Sequence, residues 1–441
     1  MTSERAQELL GRIRERKARV GIVGLGYVGL PLGLTFCEKG FDVVGFDVDP
    51  KKIDVLSSGG TYIVHLGEER VRAALATGRF APTTDFARLG ECDAILIAVP
   101  TPLTSQREPD MRFVIQTAEA VRDRLKPSQL IVLESTTYPG TTDELVREIL
   151  EQTGLKAGAD FFLAFSPERE DPGNARYNTR TIPKVVGGIE PDSSELAIAL
   201  YELAIDKVVA VSSARAAEAT KLTENIFRAV NIALVNELKV IYDRMGIDIW
   251  EVLDAAETKP FGFMRFNPGP GLGGHCIPLD PFYLTWKARE YGVATRFIEL
   301  AGEVNVSMPR YVVDKLARAL NARKKPVNGS RVLLLGLAYK KDVDDTREAP
   351  SFELMHLLRD EGALVDYHDP HVPETPAKRS FPDLQKQLSV PLTRETLAGY
   401  DAVLIATDHS AVDYALVAEH APLIIDTRGV YRAPRPNVVK A

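Results

Sequence analysis

The sequence predicts an α/β protein with two doubly wound parallel-sheet domains joined by a long central helix. Three observations carry this expectation. Arg19–Val23 and Arg331–Leu335 are aliphatic runs that flow into glycine. After each of them, strand and helix patterns alternate, as in parallel βα units. Between them, residues 213–245 keep a helical period with no Pro or Gly until Gly246. At 441 residues the chain exceeds one compact core, and the expected division is 1–210, 211–322 and 323–441.

The first domain opens with a strand that enters Gly24-Leu25-Gly26-Tyr27-Val28-Gly29. A helical pattern, Leu30–Lys39, a second strand, Phe41–Phe46, and Asp47 follow. In that setting G-x-G-x-x-G is a dinucleotide fingerprint. Gly24 makes the tight turn, Gly26 lets backbone N–H groups reach a pyrophosphate, and Gly29 lets helix and strand pack closely. The helix N-terminus adds positive dipole for the anion. Asp47 suits the adenosine ribose hydroxyls, and its charge repels a 2′-phosphate, which favours NAD over NADP; Lys52 nearby is the one feature pulling the other way. Further strands end at Pro100-Thr101-Pro102, at Thr136–Thr142 and at Ser166–Gly173. These are the carboxyl ends at which open α/β sheets bind ligands. Thr136 is either a ligand contact or a helix cap, and the charged loop after Phe165 is either solvated surface or a site.

On the long helix, Leu222, Ile226, Ala229, Ala233 and Leu234 form the expected core stripe. Another face carries Glu218, Lys221, Asn225 and Arg228, three or four residues apart. It reads either as an ion-pair ladder or as a cation and an amide aimed at a substrate oxygen. The last domain repeats strand, turn and helix from Gly329, with strands near Ala363–Tyr367, Ala402–Ala406 and Leu423–Asp426. It lacks the full glycine fingerprint. Its charged loop, Tyr339–Glu348, is either solvated surface or places Lys340 and Arg347 where phosphates or a ribose can be met.

Composition sets bounds. Apolar residues are 45% and charged residues 26%, ordinary for a soluble globular chain. A net charge of −7 argues against a nucleic-acid partner. No apolar run reaches membrane-spanning length and no signal peptide opens the chain. Three scattered cysteines, Cys37, Cys92 and Cys276, make neither a disulfide framework nor a metal-ligand spacing. The expectation is a cytoplasmic protein without a metal. Cys37 and Cys92 read as packing residues, whereas Cys276 stands in Gly273-Gly274-His275-Cys276-Ile277-Pro278-Leu279-Asp280.

With these pieces assembled, the chain resembles the UDP-glucose/GDP-mannose dehydrogenase family over nearly its whole length. The resemblance rests on Gly24–Leu32 (GLGYVGLPL), Val99–Pro102 (VPTP), Ser166–Glu170 (SPERE) and Lys221–Asn225 (KLTEN). Pro268–Pro281 (PGPGLGGHCIPLDP) and Gly336–Pro350 (GLAYKKDVDDTREAP) complete it. It implies an N-terminal Rossmann-like NAD domain, a small helical dimerisation domain around the central helix, and a C-terminal Rossmann-like domain for a UDP-sugar. It also implies oxidation of the sugar C6 alcohol to a carboxylate, with a homodimer as the assembly. Cys276 matches the family nucleophile, with Lys221 and Asn225 as oxyanion partners, Asp280 as proton manager, Glu168 as base for thioester hydrolysis and Thr136 as water holder. Tyr27, Val28, Pro100, Thr101, Thr136 and Arg347 fall on the cofactor side. Glu168, Arg169, Lys221, Asn225, Arg265, Gly273, His275 and Lys340 fall on the substrate side. The forms SPEREDPGN and FGFMRFNPGPGLGGHCIP look like the branch that oxidises UDP-N-acetylglucosamine. UDP-glucose, UDP-N-acetylgalactosamine and UDP-N-acetylmannosamine are the alternatives within the class. A two-electron β-hydroxyacid dehydrogenase and a non-catalytic nucleotide-sugar sensor are the alternatives outside it.

Overall fold

In the computed structural model, residues 3–63, 66–104, 106–169, 178–274, 276–378 and 380–441 are described. The chain divides into two compact units, Met1–Glu224 with Phe282–Val293, and Asn225–Pro281 with Ala294–Ala441.

The first unit is built on an eight-stranded sheet. Its strands are β1 (Val20–Val23), β2 (Val43–Phe46), β3 (Phe80–Thr83), β4 (Ala94–Ile97), β5 (Leu130–Leu133), β6 (Phe162–Phe165), β7 (Lys184–Gly188) and β8 (Val208–Ala210). The order is β3-β2-β1-β4-β5-β6-β7-β8, and every pairing is parallel except β6 with β7. The order reverses between β1 and β4, which makes a ligand crevice at their carboxyl ends. All residues of β1, β2, β4, β5 and β6 are buried, because helices cover both faces. Ile22, Leu96 and Val132 join the core on one face, and Val23, Ile95 and Ile131 the core on the other. The sequence reading lacked β3, β7 and β8. The first is an edge strand containing Pro82, and the last is three residues long and partly exposed.

The second unit carries a five-stranded, all-parallel sheet in the order β10-β9-β11-β12-β13. The strands are β9 (Arg331–Leu335), β10 (Leu364–His368), β11 (Ala402–Ile405), β12 (Ile424–Asp426) and β13 (Val438–Lys440). The first glycine turn is repeated: a Cβ on Gly24 would lie 2.4 Å from the Ala98 carbonyl oxygen, and one on Gly336 would lie 2.4 Å from that of Thr407. Both glycines have positive φ, 95° and 87°. The short β13 carried no signal of its own.

The long helix, Ala214–Met245, matches the expected span and passes from the first unit into the second. Leu222, Ala229 and Ala233 are buried as expected. Leu234, expected in the core, is 50% exposed: it stands on a second apolar face, which a periodicity count merges with the first. The polar face is not a surface ladder, since Glu218, Lys221 and Asn225 are buried and only Arg228 is exposed.

Candidate active site

In the first unit the glycine turn fits the cofactor that its sequence implies. A Cβ on Gly29 would sit 1.9 Å from the Gly24 oxygen, so the helix Gly29–Glu38 meets the turn at glycine contact. A Cβ on Gly26 would meet nothing within 4 Å, leaving open space over the backbone where a pyrophosphate belongs. Val28, at the helix N-cap, offers no side-chain acceptor that would compete for its N–H groups. Asp47 follows β2 and is 6% exposed. It accepts hydrogen bonds from the Leu25 N–H (3.0 Å) and the Asp49 N–H (3.0 Å), and from Lys52 Nζ (2.9 Å). Lys52 is thus paired with the acid that excludes a 2′-phosphate.

The turn after β5 is stitched to its neighbours. Ser135 Oγ accepts from the Val99 N–H (2.9 Å) and donates to the Val99 carbonyl (2.8 Å), fixing the approach to Pro100. The Thr101 carbonyl accepts from the Tyr283 hydroxyl at 2.7 Å. Thr136 is half-buried and caps no helix, because the following helical segment has Gly140 at its N-cap. Beneath it, the fully buried Glu134 pairs with Lys184 and accepts from the Tyr201 hydroxyl. That cluster escaped the sequence reading, although a glutamate closing an aliphatic strand (LIVLE) was its signal.

Glu168 and Lys221 meet at 3.3 Å, with side chains 11% and 6% exposed. Arg169 reaches Glu224 (2.5 Å) and the Pro183 carbonyl (2.6 Å), so it fastens the Ser166–Arg169 segment to the long helix. Val28, Leu32, Glu168, Arg169 and Lys184 line one shallow pocket, which places Glu168 beside the helix of the glycine turn.

In the second unit, Asn225 Nδ2 donates to Asp280 Oδ2 at 2.6 Å, and both residues are buried. The Cys276 carbonyl accepts from the Asp280 N–H at 2.8 Å, a turn that ties the cysteine to the start of helix Asp280–Glu290. Cys276 is half-buried, while Cys37 and Cys92 lie in the core, where burial pushes each thiol up to about 12. Of the three, only Cys276 lies outside the buried core.

The two glycines before it serve packing. A Cβ on Gly273 would lie 2.5 Å from Tyr339 Cβ, and one on Gly274 (φ +85°) 3.1 Å from the Tyr339 ring. The Gly274 N–H also donates to the Arg347 carbonyl at 3.0 Å. These glycines therefore admit the loop after β9. The Arg347 guanidinium pairs with Asp345 at 2.6 Å, and Arg265 pairs with Asp254 and Glu257 at 2.7 Å each. Lys340 lies half-buried in the same loop after β9. His275 falls outside the described residues.

The acid after β10, Asp369, occupies the place that Asp47 holds after β2. Its carboxylate takes five donors: the N–H groups of Leu337, Ala338, His371 and Val372, and His409 Nε2. His409 Nδ1 accepts the Asp342 N–H, which leaves its proton on Nε2, toward Asp369. Asp342, His371 and His409 bring ligand-type atoms within 4.8 Å of one another. With Nδ1 already engaged, the trio holds the loop. Two groups on this unit were also missed: the buried Lys239, whose Nζ has no hydrogen-bond partner among the described residues, and the half-buried Arg428, which donates to the Ala406 carbonyl at 2.7 Å.

Comparison with known proteins matches this arrangement to three family descriptions in order. They are the UDP-glucose/GDP-mannose dehydrogenase NAD binding domain (residues 18–205), central domain (215–307) and UDP binding domain (333–433). The UDP-N-acetyl-D-glucosamine 6-dehydrogenase of Pseudomonas aeruginosa is 37% identical, over 89% of this chain and 90% of that protein. The NDP-N-acetyl-D-galactosaminuronic acid dehydrogenase of Ralstonia solanacearum is 34% identical, over 94% and 97%. Among solved structures, UDP-D-ManNAc dehydrogenase from Pyrococcus horikoshii superposes with a TM-score of 0.86 at 30% identity, covering 96% of this chain and 98% of that one.

Proposed function

Because the chain belongs to the UDP-glucose/GDP-mannose dehydrogenase family, and so is an NAD-dependent nucleotide-sugar dehydrogenase, we propose that its substrate is UDP-N-acetylglucosamine. The product is UDP-N-acetylglucosaminuronic acid. The choice of sugar is supported by the SPEREDPGN form of residues 166–174 and by the likeness to the Pseudomonas aeruginosa relative.

The chemistry rests on Cys276, the one half-buried thiol, four residues from a buried carboxylate that is itself held by an amide. NAD, when bound, accepts the hydride in each of two oxidations. The alcohol first loses a proton and a hydride to become an aldehyde. The Cys276 thiolate adds to the aldehyde carbon, and the resulting oxyanion is stabilised by Lys221 and Asn225. Loss of a second hydride and the hydroxyl proton leaves a thioester. Water, held by Thr136 and deprotonated by Glu168, attacks it and releases the carboxylate and the thiol. Asp280 exchanges protons with the thiol. Each acid starts with a partner that keeps it in place, Glu168 with Lys221 and Asp280 with Asn225.

In this reading residues 1–210 hold NAD and supply Thr136 and Glu168, residues 211–322 carry Lys221, Asn225, Cys276 and the dimer contact, and residues 323–441 hold the UDP portion through Lys340. Arg169, Arg265, Arg347 and His275 act on substrate or cofactor once these are bound. The dimer is supported by an apolar stripe on the long helix. Phe227, Leu234 and Ile241 recur every seven residues, are 45–50% exposed, and are followed by Met245.

The test is NADH formed per mole of limiting sugar. UDP-N-acetylglucosamine is expected to give two NADH, with little from UDP-glucose. Two from UDP-glucose alone would keep the mechanism and overturn the choice of sugar. One from each sugar would remove the thioester route.

A further inference from the structure

Glu218 is fully buried on the long helix, one turn before Lys221. Its carboxylate leaves that helix and engages the turn after β5. Oε2 accepts the Gly140 N–H at 2.7 Å, while Oε1 accepts the Thr142 N–H at 2.9 Å and the Thr142 hydroxyl at 2.7 Å. Those N–H groups open the helical segment that starts at Thr141, so a carboxylate from another helix serves as its cap. Gly140, with φ +105°, has no side chain to do so. The same turn carries Thr136 at its start.

We infer that Glu218 is a positioning residue: its ionised carboxylate locks the Thr136–Thr142 turn to the helix that carries Lys221, and so sets the water-holding hydroxyl in register with the ammonium. This deepens the proposed reaction and rests on it for its catalytic readout. Two weaker ties surround the lock. Arg215 pairs with Asp143 and Glu144, each at 2.7 Å, and Lys287 pairs with Glu144 at 3.1 Å. These lie on exposed carboxylates or a part-exposed arginine, where an ion pair is worth little. Glu218 supplies the buried, three-bond contact.

The groups around Glu218 sharpen the test. Burial raises its carboxyl to about 7, against the lowering effect of the Thr142 hydroxyl and the Gly140 and Thr142 N–H groups, and Asp143 raises it further. Asp143 and Glu144 face it from the turn, Arg215 and Lys221 share its helix, and Lys287 approaches from Asp280–Glu290. Protonation removes acceptor capacity that the two N–H groups use, so the lock loosens as pH falls through about 7.

The experiment compares wild type with Glu218→Gln and, as a milder variant, Thr142→Val, which deletes one donor and keeps the backbone. Amide hydrogen exchange over residues 137–146 is the readout that needs no sugar. Glu218→Gln is expected to speed exchange there about tenfold or more, with the rest of the first unit unchanged. In turnover it is expected to lower kcat about tenfold to a hundredfold with KM for NAD held within about twofold. It should also remove an acidic limb near pH 7 from the kcat profile, and Thr142→Val should show a smaller fall. Unchanged exchange in both variants would overturn the lock. A fall in kcat with the acidic limb intact would reduce Glu218 to a structural residue. If wild type itself forms no NADH from any UDP-sugar, the proposed reaction fails while the exchange result still decides the lock.

Discussion

Three cysteines occur in the sequence, and surroundings separate them. Cys37 and Cys92 sit among apolar side chains that disfavour a thiolate, whereas Cys276 follows Gly273-Gly274-His275 and precedes a turn into a helix. Cys276→Ala is expected to lower steady acid production on the order of 10⁴-fold, with NAD binding unchanged in a titration of cofactor fluorescence. Full turnover by that variant would remove Cys276 from the nucleophile role. Most residues of the candidate site were legible because short motifs placed them: Lys221 with Asn225, Cys276 with Asp280, and the three glycines of the first turn. What stayed hidden was direction. Gly273 and Gly274 signalled a close approach, but only the structure shows that Tyr339 makes it. The face carrying Glu218 read either as an ion-pair ladder or as a cation and an amide aimed at a substrate, because spacing along a helix carries no information about which neighbour buries it.

At the scale of elements, the long helix was the most legible feature, since 32 residues without Pro or Gly leave few alternatives. Its buried cation was not legible. Lys239 is buried without a hydrogen-bond partner among the described residues, and that desolvation pulls its ammonium down to about 7, against the pull of Asp426. The unfolded chain keeps this proton to about pH 10.4. Between 7 and 10 the unfolded state therefore binds more protons, and stability rises with pH. Below 7 the buried charge costs its full amount. Lys239→Met is expected to stabilise the protein by about 2–4 kcal/mol at pH 6 and to flatten the rise between pH 7 and 10, as read from urea midpoints. An identical pH slope in both proteins would show that Lys239 is not the group responsible. The edge strands β3, β8 and β13 were illegible for a simpler reason: three or four residues with a proline or partial exposure carry too little pattern.

At the scale of the molecule, the exposed heptad stripe argues for assembly. The second unit also presents Phe297 (80% exposed), Leu300 and Val306 on the helix Arg296–Ala322. Scattered exposed apolar residues are ordinary, whereas a stripe with a seven-residue period marks a helix seam. Leu234→Glu, with Phe227→Lys as a second disruption, is expected to shift the sedimenting species from dimer to monomer. A wild-type monomer at micromolar concentration would refute the dimer outright.

The contrast between Asp47 and Asp369 has a wider consequence. The two units share strand order around the first strand, the glycine turn and the acid after the second strand, yet only one acid keeps capacity for a visitor. Asp369 spends its lone pairs on four amides and an imidazole, and Ala338 stands where the first unit leaves Gly26 bare. Two similar scaffolds in one chain risk competing for the same dinucleotide, which would sequester cofactor away from the reaction. Saturating one acid from within removes that risk without changing the architecture. The two copies of one scaffold thus differ in occupied valence, three donors on Asp47 against five on Asp369.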